Sequence, residues 1–145
     1  MRHRVLPRFL TFGALALSGA GCSDAPSTGP PPPGGGQNYV LDYSVFAASI
    51  EPILSTYGCD NVACHGGGIK GTFELSPNGD KNFAFDFEQA RMQVNGHNPP
   101  FSPLAMKPLA PECGGPGHAG GYVFYRLDHP DYLAILAWIE AGEWE

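Results

Sequence analysis

The stretch Cys59–Gly68, with the sequence CDNVACHGGG, is the part of the chain that decides the fold. A cysteine stands directly before a histidine, and a second cysteine lies five residues upstream. This arrangement is typical of the attachment of haem c to a polypeptide. Both thiols add to vinyl groups on one side of the porphyrin, and the adjacent histidine binds the iron as its proximal ligand. The sequence therefore predicts haem c attached through Cys59 and Cys64 and ligated by His65.

The spacer between these cysteines is longer than the usual one. Two residues ordinarily separate the cysteines of this motif, whereas four separate Cys59 from Cys64. A spacer of four residues can still span the two vinyl positions if the loop bulges outward. We therefore expect a projecting loop between the two cysteines.

The first 21 residues have the organisation of a secretory signal peptide. Met1–Arg8 carries three arginines and no acid, Phe9–Leu17 is an apolar run, and Ser18–Gly21 supplies small residues at the cleavage point. The apolar run is shorter than the roughly 20 residues that a membrane-spanning helix needs. Cys22 then stands where a bacterial lipobox has its lipidated cysteine, although Gly19 replaces the usual leucine; ordinary cleavage beside a stray cysteine is the alternative.

Residues 22–37 form a tether rich in proline, glycine and serine, so that residues 38–145 make up the folded domain. Removal of residues 1–21 leaves five basic against fourteen acidic residues, a net charge of −9. This charge argues against nucleic-acid binding and is compatible with docking to a partner that has a basic surface. We expect a position in the cell envelope, on the periplasmic side, with a lipid anchor as the only membrane attachment.

Three amphipathic segments predict helices at Ser44–Tyr57, Asp86–Val94 and His129–Gly142. Pro52 predicts a kink or a restart within the first helix. Residues 95–121 are rich in proline and glycine and are expected to be irregular. The expected apolar positions of the second and third helices are Phe87, Ala90, Met92, Val94, Tyr132, Leu133, Ile135, Leu136, Trp138 and Ile139.

Nearly the whole folded part, Phe46–Gly142, resembles the small haem-binding c-type cytochrome domain of bacterial lipoproteins and planctomycete-type cytochromes. The matching segments are Ile50–Leu54, Cys59–Gly66, Gly71–Ser76, Ser102–Leu104 with Lys107–Pro108, His118–Gly121, and Asp131–Leu133 with Trp138–Gly142. The resemblance implies an all-α, cytochrome c-like fold of about three helices, in which the first and last helices cross. It further implies that long loops surround one haem and that the protein carries electrons.

The sequence offers several residues that could be the second axial ligand of the iron. His118 is favoured because it matches the His-Gly-Gly segment of the family, and Met106 is the alternative because it lies in a proline-flanked loop. His97, Met92 or an open iron face complete the possibilities. Ligation by two histidines lowers the reduction potential of a haem, whereas methionine raises it.

A different cofactor is compatible with the same cysteines. Cys59 and Cys64 share their spacing with Cys113 and His118, so that the four could form a Cys3His zinc site. Disulfides are a further alternative in a small exported domain, and Cys113 is otherwise left as an odd thiol. No arrangement of catalytic residues stands out, so we expect an electron carrier, not an enzyme.

Overall fold

The computed structural model describes residues 38–145. The predicted signal peptide at residues 1–21, the tether at residues 22–37 and the predicted lipidation of Cys22 lie outside the described residues. Between residues 38 and 145 the protein is helix-rich, with one small two-stranded sheet. The expectation of a mostly helical domain is thus confirmed, whereas the cytochrome c-like arrangement stays a prediction.

The first helical segment is continuous but changes its winding in the middle. It consists of helix α1 (Tyr43–Val45), a π-helical turn (Phe46–Ile50) and helix α2 (Glu51–Thr56). Asp42 caps its start, because its carboxylate accepts a hydrogen bond from the backbone N–H of Val45 at 3.0 Å. Pro52 lies in the first turn of α2, where its missing N–H costs least. The winding thus changes from π to α directly before Pro52, whereas the chain stays helical through it.

The second helix, α3, spans Phe83–Arg91 and so begins three residues before the predicted start. Asn82 explains the earlier start, because its side chain accepts a hydrogen bond from the N–H of Phe85 at 3.1 Å. Only shorter helical segments occur in the stretch 95–121: two 3₁₀ turns, Pro99–Phe101 and Pro111–Cys113, and helix α4, Pro103–Met106. Each of the three starts with proline, which suits the first position of a helix.

The third predicted helix, α5, spans Pro130–Glu140. The Nδ1 atom of His129 accepts a hydrogen bond from the N–H of Asp131 at 3.2 Å, so His129 acts as its N-terminal cap. After α5 the chain returns to its beginning in a feature that the sequence analysis missed. Strand β2 (Glu143–Trp144) pairs antiparallel with strand β1 (Tyr39–Val40), which closes the two ends of the domain on each other.

The hydrophobic core joins the first helical segment to α5. The rings of Phe46 and Trp138 lie 5.5 Å apart, and the indole N–H of Trp138 donates to the carbonyl of Asp42 at 2.9 Å. The prediction that Met92 and Leu133 face the core is wrong, because Met92 is 60% exposed and Leu133 is 46% exposed. Met92 follows the last residue of α3 and Leu133 projects from the outer face of α5. The largest apolar side chains of the core are Phe46, Ile50, Leu75, Leu109, Phe124, Tyr132, Ile135, Trp138 and Ile139.

Within residues 38–145, we find no helix with the length and hydropathy needed to cross a membrane.

Candidate functional site

The segment with the two cysteines begins directly after α2. Gly58 ends the helix in a left-handed conformation, with φ of +68°, which glycine adopts without strain. The N–H of Cys59 still donates to the carbonyl of Leu54 at 2.9 Å, so the first thiol is attached to the end of a regular helix. Both Cys59 and Cys64 are free thiols of intermediate exposure.

The spacer turns back on itself and brings His65 beside Cys59. The N–H of His65 donates to the carbonyl of Cys59 at 2.9 Å, and that of Cys64 donates to the carbonyl of Asn61 at 2.8 Å. Val62, at the tip of the turn, is 67% exposed. The expected outward bulge is therefore present over residues 61–63. Asp60 differs, because its side chain points inward and is only 1% exposed.

Two glycines after the histidine permit this tight turn. A Cβ atom on Gly66 would overlap the carbonyl group of Asp60, and one on Gly67 would overlap the carbonyl group of Val62. Backbone carbonyls cannot move aside as the end of a flexible side chain can. Glycine is therefore required at both positions if the spacer is to keep this shape.

The imidazole of His65 is oriented by its backbone surroundings. Its Nδ1 atom lies 3.0 Å from the carbonyl oxygen of Phe73, and the ring packs against that of Phe73 with 4.8 Å between centroids. Because a carbonyl oxygen only accepts, Nδ1 must carry the proton and donate it. In the neutral imidazole the lone pair is then on Nε2, the atom through which this histidine could bind a metal.

His118 lies beside His65 and is oriented in the same way. Its Nδ1 atom is 2.9 Å from the carbonyl oxygen of Gly121, so this ring also keeps the lone pair on Nε2. The rings of His65 and His118 are nearly parallel, with an angle of 7° between them and 6.0 Å between their centroids. The structure thus brings together two residues that are 53 positions apart in the sequence.

The other residues considered as ligands have different surroundings. The side chain of Met106 packs against the hydrophobic core. The ring of His97 stacks on that of Trp144 at 4.2 Å, next to the two-stranded sheet. His129 caps α5, as described above.

A small apolar pocket lies next to Cys59, with a cavity volume of about 20 Å³. Tyr57 and Phe124, two aromatic residues of its wall, pack edge to face at 5.3 Å. The hydroxyl of Tyr57 donates to Asp131 at 2.7 Å, and this hydrogen bond is the main cause of the raised pKa of Tyr57. Burial, followed by the charge of Asp60, raises the pKa of the Cys59 thiol to about 11. The remaining wall residues are Ile53, Leu54, Leu104, Pro108, Val123 and Ile135.

The structure contains a buried ionic cluster next to Cys59 that the sequence analysis did not predict. The ammonium group of Lys81 lies 2.5 Å from Glu51, 3.0 Å from Asp86 and 3.3 Å from Asp60. These three carboxylates are at most 4% exposed. Burial by itself lowers the pKa of Lys81, but the hydrogen bonds and charges of Glu51 and Asp86 outweigh it, so that the pKa is raised.

One signal in the sequence could have led to this cluster. Asp86 lies four residues before Ala90 and therefore on the same face of the helix, which is the buried face. A carboxylate on such a face needs a charged partner. The identity of that partner, Lys81, depends on the tertiary structure.

The four residues of the alternative zinc site do not come together in the described part of the chain. Within residues 38–145, no group of three or more histidine, cysteine, aspartate or glutamate side chains is placed to hold a metal ion. Cys113 is buried in the core at 1% exposure and is disulfide-bonded, so the expectation that it is left as an odd thiol is wrong. Among these residues the free thiols are those of Cys59 and Cys64. The structure therefore gives no support to a Cys3His arrangement of Cys59, Cys64, Cys113 and His118.

Comparison with known proteins gives no relative: no family model, no curated protein and no solved structure matches this chain.

Proposed function

We propose that this chain is an exported, lipid-anchored c-type cytochrome domain that carries electrons through a single haem c. Cys59 and Cys64 would attach the haem, and His65 and His118 would hold its iron. The observation that carries the proposal is the pairing of these histidines, since each donates from Nδ1 to a backbone carbonyl and keeps Nε2 for a metal.

The dimensions of the histidine pair fit a shared iron. Two imidazoles that bound one iron through Nε2 atoms directed at each other, with bonds of about 2 Å, would have their ring centroids about 6 Å apart. The observed distance is 6.0 Å. A porphyrin supplies four nitrogens to its iron, so that two protein ligands suffice for this cofactor.

The thiols and the apolar pocket also suit haem c. Cys59 contributes to the wall of the pocket, together with Tyr57 and Phe124. A haem attached at Cys59 would lie beside these apolar side chains, and lower solvent exposure of a cofactor is one of the means by which a protein adjusts a redox potential. When bound, haem c supplies the iron that is reversibly oxidised and reduced.

The residues of the chain have separate tasks in this function. Phe73 and Gly121 fix the orientation and tautomer of the two histidines through their carbonyl groups. Ligation of an iron by both imidazoles would lower its potential and leave no open coordination position, which would favour electron transfer over chemistry at an open site. The acidic surface suits a redox partner with a basic docking surface.

The test of this proposal is covalent haem in the protein produced with a cytochrome c maturation system. We expect a pyridine haemochrome spectrum of the thioether type that survives extraction with acid and acetone. The matched control is the double variant Cys59→Ala/Cys64→Ala, which should be colourless after the same extraction. A colourless wild-type protein from a host that matures a reference cytochrome would overturn the proposal.

A further inference from the structure

The first residue of the spacer, Asp60, is the point at which the attachment loop is fixed to the rest of the domain. One oxygen of its carboxylate, Oδ2, accepts a hydrogen bond from Ser55 at 2.5 Å and lies 3.3 Å from the ammonium group of Lys81. Ser55 belongs to α2, whereas Lys81 lies just before α3. The side chain of Asp60 therefore connects the loop to two separate parts of the fold.

The backbone of Asp60 is held as firmly as its side chain. Its carbonyl accepts a hydrogen bond from the N–H of Asn78 at 3.3 Å, and the same carbonyl lies against Gly66, next to His65. The residues from 61 to 63 are exposed and make mainly local hydrogen bonds. Asp60 is thus the member of the spacer that is anchored in the interior.

Burial of the Asp60 carboxylate costs free energy, and the hydrogen bonds that it accepts do not fully offset this cost. Asp60 is 1% exposed, and its second oxygen, Oδ1, has no hydrogen-bond partner among the described residues. Moving a carboxylate out of water costs several kcal/mol unless it is paired. An asparagine would fill the same space without charge, so packing alone does not explain the aspartate.

We propose that Asp60 is a positioning residue for haem attachment, held by Lys81 and Ser55, which fixes the Cys59 thiol relative to the Cys64 thiol. This inference rests on the proposed function. A spacer of four residues has more backbone freedom than one of two, and anchoring its first residue removes much of this freedom. The carboxylate thereby compensates for the unusual length of the spacer.

The step that depends on this positioning is the addition of each thiol to a vinyl group. One S–C bond and one C–H bond form, while the S–H bond and the π bond of the vinyl group are lost. The thiol proton ends on the second vinyl carbon, and the addition consumes no oxidant or reductant. Both additions succeed on one cofactor only if the two sulfur atoms are held at a matching separation.

The experiment measures which cysteine is left unattached. Wild-type protein and the Asp60→Asn variant are produced with a cytochrome c maturation system, and the haem-bearing chains are analysed by mass spectrometry of peptides. We expect doubly attached haem in the wild type. In Asp60→Asn, the ratio of free Cys59 to free Cys64 should rise by about tenfold, the typical scale for the loss of a positioning contact. The control variant is Asp128→Asn, which removes the exposed ion pair with Arg126 and should behave as wild type.

A second variant covers the case in which Asp60→Asn fails to fold. Ser55→Ala removes the hydroxyl that contacts Asp60 and leaves the charged groups in place, so the ratio should rise in the same direction by a smaller factor. General unfolding instead lowers the yield of haem-bearing chains, which is measured beside the ratio. An unchanged ratio in the haem-bearing chains of Ser55→Ala and Asp60→Asn overturns the positioning role. Absence of haem from the wild type overturns the proposed function instead, so the two failures are distinguishable.

Discussion

The imidazole rings of His65 and His118 lie nearly parallel, with 6.0 Å between their centroids and 7° between their planes. Each ring is held by a hydrogen bond from Nδ1 to a backbone carbonyl, of Phe73 in one case and of Gly121 in the other. Two imidazoles oriented independently by main-chain groups do not need each other to keep their places. Their proximity is therefore a property of the fold around them.

Replacing His118 tests the second axial ligand. We expect His118→Ala to retain covalent haem but to lose the low-spin spectrum of two histidine ligands, and its reduced form should bind CO. His97→Ala is the control, because His97 stacks on Trp144 beside the two-stranded sheet. Absorption spectra with and without CO provide the measurement. If Met106→Ala, and not His118→Ala, opens the iron to CO, the ligand is Met106.

The pKa of Cys59 predicts the reactivity of the chain with both thiols free. A pKa of about 11 is two units above the value of 9.0 for an ordinary thiol. At pH 8 the thiolate fraction of Cys59 is thus about 100-fold smaller than that of an ordinary cysteine. We expect iodoacetamide to label Cys64 before Cys59, as measured by peptide mapping. Equal labelling rates in the folded protein would contradict the burial of Cys59.

The same thiol makes stability depend on pH. Because folding raises the pKa of Cys59, the folded state binds the thiol proton more tightly than the unfolded state. The contribution is complete below about pH 9 and is lost as the pH rises through about 11. We expect the unfolding free energy of the free-thiol form to fall over this range relative to that of Cys59→Ala. Urea unfolding of both proteins between pH 8 and pH 11 gives the comparison.

Gly66 is expected to tolerate no side chain. Gly66→Ala places a methyl group against the carbonyl of Asp60 and should lower the free energy of unfolding by about 3 kcal/mol, at the upper end for overpacking. Gly58→Ala is the control: its Cβ meets no atom within 4 Å, and only its φ of +68° is unfavourable, at a cost of about 1 kcal/mol. Chemical denaturation measures both variants. A smaller loss for Gly66→Ala than for Gly58→Ala would show that the loop can move away.

Lys81 is expected to contribute far more to stability than an exposed cation. Lys81→Met leaves Glu51, Asp60 and Asp86 buried without their cation and should cost about 3–5 kcal/mol. Arg91→Met removes a pair with Glu88 in which both side chains are about half exposed, and should cost less than about 0.5 kcal/mol. Thermal and urea unfolding of the two variants check the difference. Similar losses would mean that the buried carboxylates find other partners.

The candidate haem-attachment motif and the helices could be recognised in the sequence because both depend on local spacing. Cys64 and His65 are adjacent in the chain, so their chemistry follows from covalent structure. The helices at residues 43–56 and 130–140 also follow from local signals, namely apolar periodicity and the caps Asp42 and His129. The exposed side chains of Met92 and Leu133 show the limit of this approach, because an apolar residue near the edge of a helix face can point either way.

The candidate attachment residues Cys59, Cys64 and His65 and the positions of the principal helices follow from the amino-acid sequence. The position of His118 beside His65, and the contact of Lys81 with three carboxylates next to Cys59, are seen only in the folded domain. Local patterns can be predicted because they are set by backbone geometry within a few residues. Contacts over 53 residues depend instead on which arrangement of helices and loops buries the core best, and this is a property of the whole chain.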